Sequence, residues 1–221
     1  MSNEFGNGEW GVGDNSAQNG QVRKDILLGE PTEFGTLYFV EIAILISFAV
    51  IMFSAYVLSP TLAAFAFVAM AVASVVYLVY VMKLKRYSDT FKEAGIYYLV
   101  YFILYFVHNN VRGLLLLLVS IAYFVFLILY IIKFCDGCTE LLKNRDESLA
   151  SSWNMYKTVM LYAYGLAVLF EVLAYVPGLK IVAGIAYILI ALAQMGFYFW
   201  HIILLKKTDE AIRTRSFFIQ G

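Results

Sequence analysis

Six long apolar blocks dominate the sequence and restrict the folds available to it. They cover residues 36–58, 61–82, 94–107, 113–132, 156–176 and 179–205. Most of these blocks approach the roughly 20 residues that a helix needs to cross the hydrocarbon core of a bilayer. The chain is 62% hydrophobic and only 14% charged, which leaves too few polar residues to cover a water-soluble domain. We therefore expect an all-α polytopic membrane protein with six transmembrane helices and the lipid bilayer around them.

Short turns and longer charged loops alternate between these blocks. The short turns contain "SP" at 59–60, "HNNVR" at 108–112 and "PG" at 177–178, and Pro, Gly and Asn are strong breakers of regular structure. A short turn requires the two blocks that it connects to run side by side in opposite directions. The sequence therefore predicts three antiparallel hairpins in series.

Lys and Arg are distributed unequally between the two sides of this arrangement. Of the 16 such residues, all except Arg112 and Lys180 fall in the tails, in the longer loops or at their edges. Because basic loops are retained in the cytoplasm, we expect a protein of the plasma membrane with both termini on the cytoplasmic side. Residues 1–33 are then a disordered cytoplasmic tail, residues 34–207 a transmembrane domain, and residues 208–221 a cytoplasmic C-terminal tail. The formal net charge is +0, which gives no support to nucleic-acid binding.

Two cysteines, Cys135 and Cys138, lie close to the cytoplasmic end of the fourth block. They could form half of a metal site, a redox pair or a site of acylation. A zinc site needs four ligands, so a second chain would have to contribute another pair. We favour the interpretation of two small residues near a helix end, and we expect no cofactor.

Three polar residues, Glu41, Glu171 and Gln194, fall inside the apolar blocks, where ionisable groups are costly and often functional. Glu41 is expected near the cytoplasmic edge and is interpreted as structural. Glu171 lies near the outer edge, where it could bind a substrate or form an ion pair with Lys180. Gln194 is expected to hydrogen-bond to a neighbouring helix, with substrate contact as the alternative.

Four residues of the third block recur on one face of a helix. Tyr97, Tyr101 and Tyr105 are four residues apart, and His108 extends the same face. Such a face could line a cavity or stack against a ligand. Aromatic residues are also common near both membrane interfaces, and we favour packing with locally bonded hydroxyl groups.

The sequence leaves two functional classes open. The motifs of zinc proteases, P-loop nucleotide-binding proteins and serine hydrolases are absent, so enzymatic activity has no support. The short outer turns and the charged inner loops favour a non-enzymatic scaffold or partner subunit, which binds another protein at its cytoplasmic face or a second copy of itself. The alternative is a small-solute transporter or substrate-binding component that uses Glu171, Gln194 and the tyrosines of the third block.

Overall fold

The computed structural model describes residues 32–56, 59–108, 110–173, 176 and 178–218. Within these ranges the regular structure is entirely helical. The prediction of an all-α protein is therefore confirmed for this part of the chain.

Six long helices follow one another along the chain, in the order of the six apolar blocks. They are α1 Glu33–Tyr56, α2 Pro60–Lys83, α3 Thr90–His108, α4 Leu114–Leu142, α5 Glu147–Leu173 and α6 Lys180–Phe218. A short 3-10 helix, Leu84–Arg86, directly follows α2. The fourth apolar block was expected to end at Ile132, but α4 continues to Leu142 because its polar last turns still pack against other helices.

Three segments of the described chain are long and apolar enough to cross a membrane: Glu33–Ser54, Pro60–Arg86 and Leu115–Leu142. Their outward side chains include large apolar groups such as Phe39 and Phe65, which lipid solvates better than water does. The helices α3, α5 and α6 are less apolar, because tyrosines and charged residues occupy part of their length. The described part of the chain is therefore all-helical, with three helices suited to a membrane.

The turns between helices contain residues with specific roles at helix ends. The Ser59 side chain accepts a hydrogen bond from the Leu62 amide at 3.4 Å, and Pro60 begins α2. Both are common at a helix N-terminus. Gly113, which precedes α4, has φ of 65°, a backbone conformation that glycine adopts without steric cost.

The six helices form a closed ring. Each long helix packs against its neighbours in the chain, and α6 also packs against α1. The most extensive pairings are α1 with α2 and α3 with α4. A ring of this kind surrounds a central space into which every helix can direct side chains.

Contacts between helix ends define one end of this ring, which we call the basic end. It contains the starts of α1, α3 and α5 and the ends of α2, α4 and α6. Ion pairs join Glu33 to Arg86 and Asp136 to Lys157, and Ser88 donates a hydrogen bond to Glu140. We call the other end, which carries Arg112 and Lys180, the opposite end.

The largest fully buried side chains belong to the basic end. They are Trp153, Tyr77, Phe34, Phe91, Phe134, Leu37, Leu84, Leu142, Leu204, Leu205, Ile212 and Val81. The buried residues that the structure describes at the opposite end are mostly small, such as Ser54, Ala66, Ser120 and Ala167. The hydrophobic core is therefore concentrated at the basic end.

The predicted boundary after residue 207 falls inside α6, which continues without a break to Phe218. Thr208 and Ile212 are buried, and the Thr208 hydroxyl accepts a hydrogen bond from the Trp153 indole N–H at 2.9 Å. The first part of the predicted C-terminal tail is therefore a helix packed on α5. The predicted N-terminal tail, residues 1–33, lies outside the described residues apart from Thr32 and Glu33.

Candidate functional site

Glu41 of α1 and His201 of α6 form a buried polar pair inside the ring. The imidazole Nδ1 lies 2.8 Å from the carboxylate Oε1, and the two side chains are only 9% and 5% exposed, respectively. A charge-assisted hydrogen bond of this length is short and strong. The pair joins the two helices whose contact closes the ring.

The second carboxylate oxygen of Glu41 has a different environment. Oε2 is buried and has no hydrogen-bond partner among the described residues. A buried acceptor that makes no hydrogen bond costs about 1–3 kcal/mol, and more when the group is charged. Oε2 is therefore an acceptor that a bound molecule can use.

Aromatic rings fix the orientation of the His201 imidazole. Tyr156 of α5 is stacked on it, with ring centroids 5.3 Å apart and an interplanar angle of 11°. Phe134 and Trp153 meet it at 75° and 84°, with centroid distances of 5.6 and 5.5 Å. Trp153 is itself held by its hydrogen bond to Thr208. These contacts hold Nδ1 toward Glu41.

A cavity of about 310 Å³ lies beside this pair, lined by side chains from all six helices. Its lining includes Glu41 and His201 at one end and Phe48, Phe67 and Phe106 at the other. Lining residues on α3 extend from Tyr98 to Phe106, a rise of about 12 Å along the helix. The cavity is therefore elongated, with a polar end near the basic end of the ring and an apolar end beyond it.

Tyrosine hydroxyls contribute further polar groups to the lining. The hydroxyls of Tyr77 and Tyr130 are 2.6 Å apart and hydrogen-bonded. The Tyr98 ring lies 5.1 Å from each of their rings, measured between centroids. Nearer the apolar end, Tyr123 donates a hydrogen bond of 3.3 Å to Tyr101. The lining is rich in aromatic side chains, and tyrosine hydroxyls add polar groups beyond the Glu41–His201 pair.

The predicted tyrosine face of α3 is divided between the cavity and helix packing. Tyr101 and Tyr105 line the cavity. Tyr97 packs on Phe126, with ring centroids 6.2 Å apart. His108 packs on Tyr123 at 5.9 Å. Four-residue spacing predicts a shared helix face, but the neighbouring helix α4 covers part of it.

The structure does not describe the side chains of the other two predicted site residues in the apolar blocks, Glu171 and Gln194. Glu171 is in α5 and Gln194 is in α6, but their side chains, and that of Lys180, are outside the described residues. The roles expected for them remain predictions.

Cys135 and Cys138 are free thiols, and both are buried. Cys135 contributes to the cavity lining. Among the described residues, no group of three or more His, Cys, Asp or Glu side chains is placed to hold a metal ion. Asp136, between the two cysteines, forms an ion pair of 2.7 Å with Lys157 of α5. The two cysteines therefore lie on α4 as buried thiols, and the roles considered for them remain predictions.

Sequence reasoning did not identify the Glu41–His201 pair. Glu41 was interpreted as structural, and His201 was not among the predicted site residues. The signal that could have identified the pair was the depth of the two residues in the membrane, because both fall near the cytoplasmic edge of their predicted spans. Pairing them requires the knowledge that α6 packs on α1, which local patterns do not contain.

A second polar cluster lies at the basic end, outside the cavity. Arg86 forms an ion pair with Glu33 and also donates a hydrogen bond to the Tyr87 hydroxyl at 2.9 Å. Tyr87 in turn donates to Glu33 at 3.1 Å. Burial, with a further contribution from the Glu33 carboxylate, raises the pKa of Tyr87 to about 12. These contacts connect the start of α1 to the segment that follows α2.

Comparisons of the chain with models of protein families, with curated proteins and with solved structures find no match. Any functional assignment therefore depends on the residues and geometry of the site.

Proposed function

We propose that this chain is a membrane protein that binds a small amphiphilic solute in its central cavity, as a transporter or a substrate-binding component. The proposal includes six membrane spans in three antiparallel hairpins, with both termini cytoplasmic. In this proposal α3, α5 and α6 also cross the membrane, in addition to the three helices that are apolar enough on composition alone. At 19 residues, α3 extends about 28 Å, close to the thickness of the hydrocarbon core.

The observation that carries the proposal is the Oε2 atom of Glu41. It is a buried carboxylate oxygen without a hydrogen-bond partner among the described residues, and its side chain lines the cavity. A role limited to helix packing would favour a partner for both oxygens, since buried polar groups are almost always hydrogen-bonded. A ligand with a hydrogen-bond donor would supply that partner.

The shape of the cavity supports the same assignment. Its volume of about 310 Å³ is at the lower limit of typical small-molecule sites, which are also mostly apolar with few polar groups. Glu41, His201 and the Tyr77–Tyr130 pair provide polar groups at one end. Phe48, with the aromatic side chains around it, provides an apolar surface at the other. A solute with one polar group and an aromatic or alkyl body matches this distribution.

A second candidate, a scaffold or partner subunit, has support from the exposed charges at the basic end. The last part of α6 presents Lys206 and Glu210, which are 59% and 60% exposed. A stoichiometric protein that co-purifies in several mild detergents would favour this function. A scaffold does not require a central cavity, so we rank solute binding first.

Equilibrium binding to the purified protein in lipid nanodiscs tests the proposed function. We would use three probes with the same carbon skeleton: 3-phenylpropylamine, 3-phenylpropanol and 3-phenylpropionate. At least one is expected to bind saturably to the wild type. Ala71→Phe is expected to abolish that binding, because Ala71 lines the cavity and a phenyl group there would fill part of it.

Ala69→Phe provides the matched control on the same helix. Ala69 is exposed on the outer surface of the ring, so its substitution is expected to leave probe binding unchanged. Failure of all three probes to bind the wild type would refute the proposed function, as would equal losses of binding in the two variants.

A further inference from the structure

Two residues supply the groups of the described cavity lining that can be charged near pH 7. Among the described lining residues, Glu41 is the carboxylate and His201 the imidazole. The other titratable groups that face this pair are phenols and a thiol, which are neutral near pH 7 at their ordinary pKa values. They come from α2 to α6 and are Tyr77, Tyr98, Tyr130, Cys135, Tyr156 and Tyr198. The Asp136–Lys157 ion pair, although close in sequence to Cys135, is not part of the lining.

A buried ionisable pair in an aromatic environment is favoured when its total charge is zero. A negative Glu41 beside a neutral His201 would leave one uncompensated charge in a buried, aromatic environment, which is costly. With one further proton, an imidazolium ion faces a carboxylate at 2.8 Å. The Tyr156 ring stacked on His201 also favours the cationic imidazole through its π electrons.

A bound cation changes this balance of charge. A positively charged ligand at Oε2 would give the cavity a total charge of +1 if His201 kept its extra proton. When His201 releases the proton from Nε2 to water, the total returns to zero. The neutral imidazole keeps its Nδ1–H, which continues to donate to Oε1. The two carboxylate oxygens of Glu41 are then divided between His201 and the ligand.

We propose that the cavity binds a monovalent organic cation with an apolar body, in exchange for one proton of the Glu41–His201 pair. This inference rests on the proposed function and specifies its substrate class and its coupling to protons. The cationic group would lie at Oε2, in a cavity whose lining includes several tyrosine rings, and aromatic faces favour positive charge. The apolar body would extend toward Phe48, which lies seven residues, or about 10 Å, further along α1 than Glu41.

Two measurements on the wild-type protein test the exchange directly. Calorimetry of 3-phenylpropylamine binding in two buffers with different ionisation enthalpies gives the number of protons released. One proton per bound cation is expected. Where the pair is protonated, the affinity is expected to fall about tenfold for each unit by which the pH is lowered. Binding of the amine without proton release, or with pH-independent affinity, would overturn the inference.

Glu41→Gln tests the residue assignment. Its amide keeps an acceptor but loses the charge, so the amine affinity is expected to fall roughly 30-fold or more, the range typical of a lost buried charge pair. The affinity for 3-phenylpropanol should change much less, and this measurement also shows that the variant is folded. Glu93→Gln, at an exposed ion pair with Lys133, is the matched control and is expected to bind the amine normally.

The outcomes separate this inference from the proposed function. If 3-phenylpropanol or 3-phenylpropionate binds saturably, and the amine binds no better, solute binding stands and the cation exchange is wrong. Unchanged amine affinity in Glu41→Gln would also reject the exchange. Absence of binding by every probe would reject both.

Discussion

Among the described residues, large side chains fill the basic end of the ring, whereas small side chains occupy most of the buried positions at the opposite end. Trp153, Phe91 and Leu142 are completely or almost completely buried at the basic end. At the opposite end, the small side chains of Ser54 and Ala167 are buried to a similar degree. Because close packing of buried side chains stabilises helix contacts in a bilayer as well as in water, we expect the two ends to differ in their resistance to unfolding.

The position of the Glu41–His201 pair follows this difference. The pair lies where the dense core of the basic end meets the cavity, and rings of that core hold the imidazole on three sides. A functional polar group needs rigid support to keep its orientation. Among the described residues, the opposite end has fewer large buried side chains, so we predict that its helices separate at lower cost. The comparison therefore indicates a fixed site at one end and conformational freedom at the other.

The largest expected effect comes from removing a core side chain of the basic end. Leu142→Ala deletes a fully buried side chain at the end of α4, and such deletions reduce the free energy of unfolding by about 2–5 kcal/mol. Leu118→Ala, near the start of the same helix, changes a side chain that is 57% exposed and should cost far less. Thermal unfolding in the same detergent measures both variants. Similar losses would contradict the proposed difference between the ends.

A smaller effect is expected from glycines that allow close helix contact. A Cβ added at Gly137 of α4 would lie 2.8 Å from the Phe91 ring of α3, which packs against Phe34 and Phe134. Gly137→Ala should therefore destabilise the protein by about 1–3 kcal/mol through overpacking. Gly165 lies in the half of α5 toward the opposite end, and a Cβ added there would meet no atom within 4 Å. Gly165→Ala should be neutral or stabilising by up to about 1 kcal/mol.

The two glycine variants are compared by their unfolding midpoints in one detergent. A neutral Gly137→Ala would mean that the Phe91 ring moves easily, and that the basic end is less rigid than its buried side chains indicate. A destabilising Gly165→Ala would mean that the opposite end is more tightly packed than proposed.

The helices could be predicted from the sequence because their signals are local. Apolar block length and breaker residues, such as Pro60 and Gly178, mark each segment independently of the others. Helix ends were less accurate. The end of α4 extends past Ile132 because Lys133 and Asp136 find partners on α3 and α5, and such partners are set by tertiary contact.

The candidate site could be predicted only in part, for the same reason. The tyrosine face of α3 was visible from its spacing, and Tyr101 and Tyr105 do line the cavity. The pairing of Glu41 with His201 was not visible, because it depends on the closure of the ring by the first and last helices. A carboxylate and an imidazole at similar depth in two predicted spans form a pattern that deserves a test in other chains.

The smallest expected effect concerns the exposed charges of the basic end. Lys206 and Glu210 form an i, i+4 pair on α6 at 3.9 Å, with both side chains mostly exposed. Pairs of this kind contribute about 0.3–0.5 kcal/mol, because solvent and salt screen them. Glu210→Gln should therefore change the unfolding midpoint very little, and added salt should remove the remaining difference. A loss as large as that of Leu142→Ala would mean that charge, rather than buried volume, distinguishes the two ends.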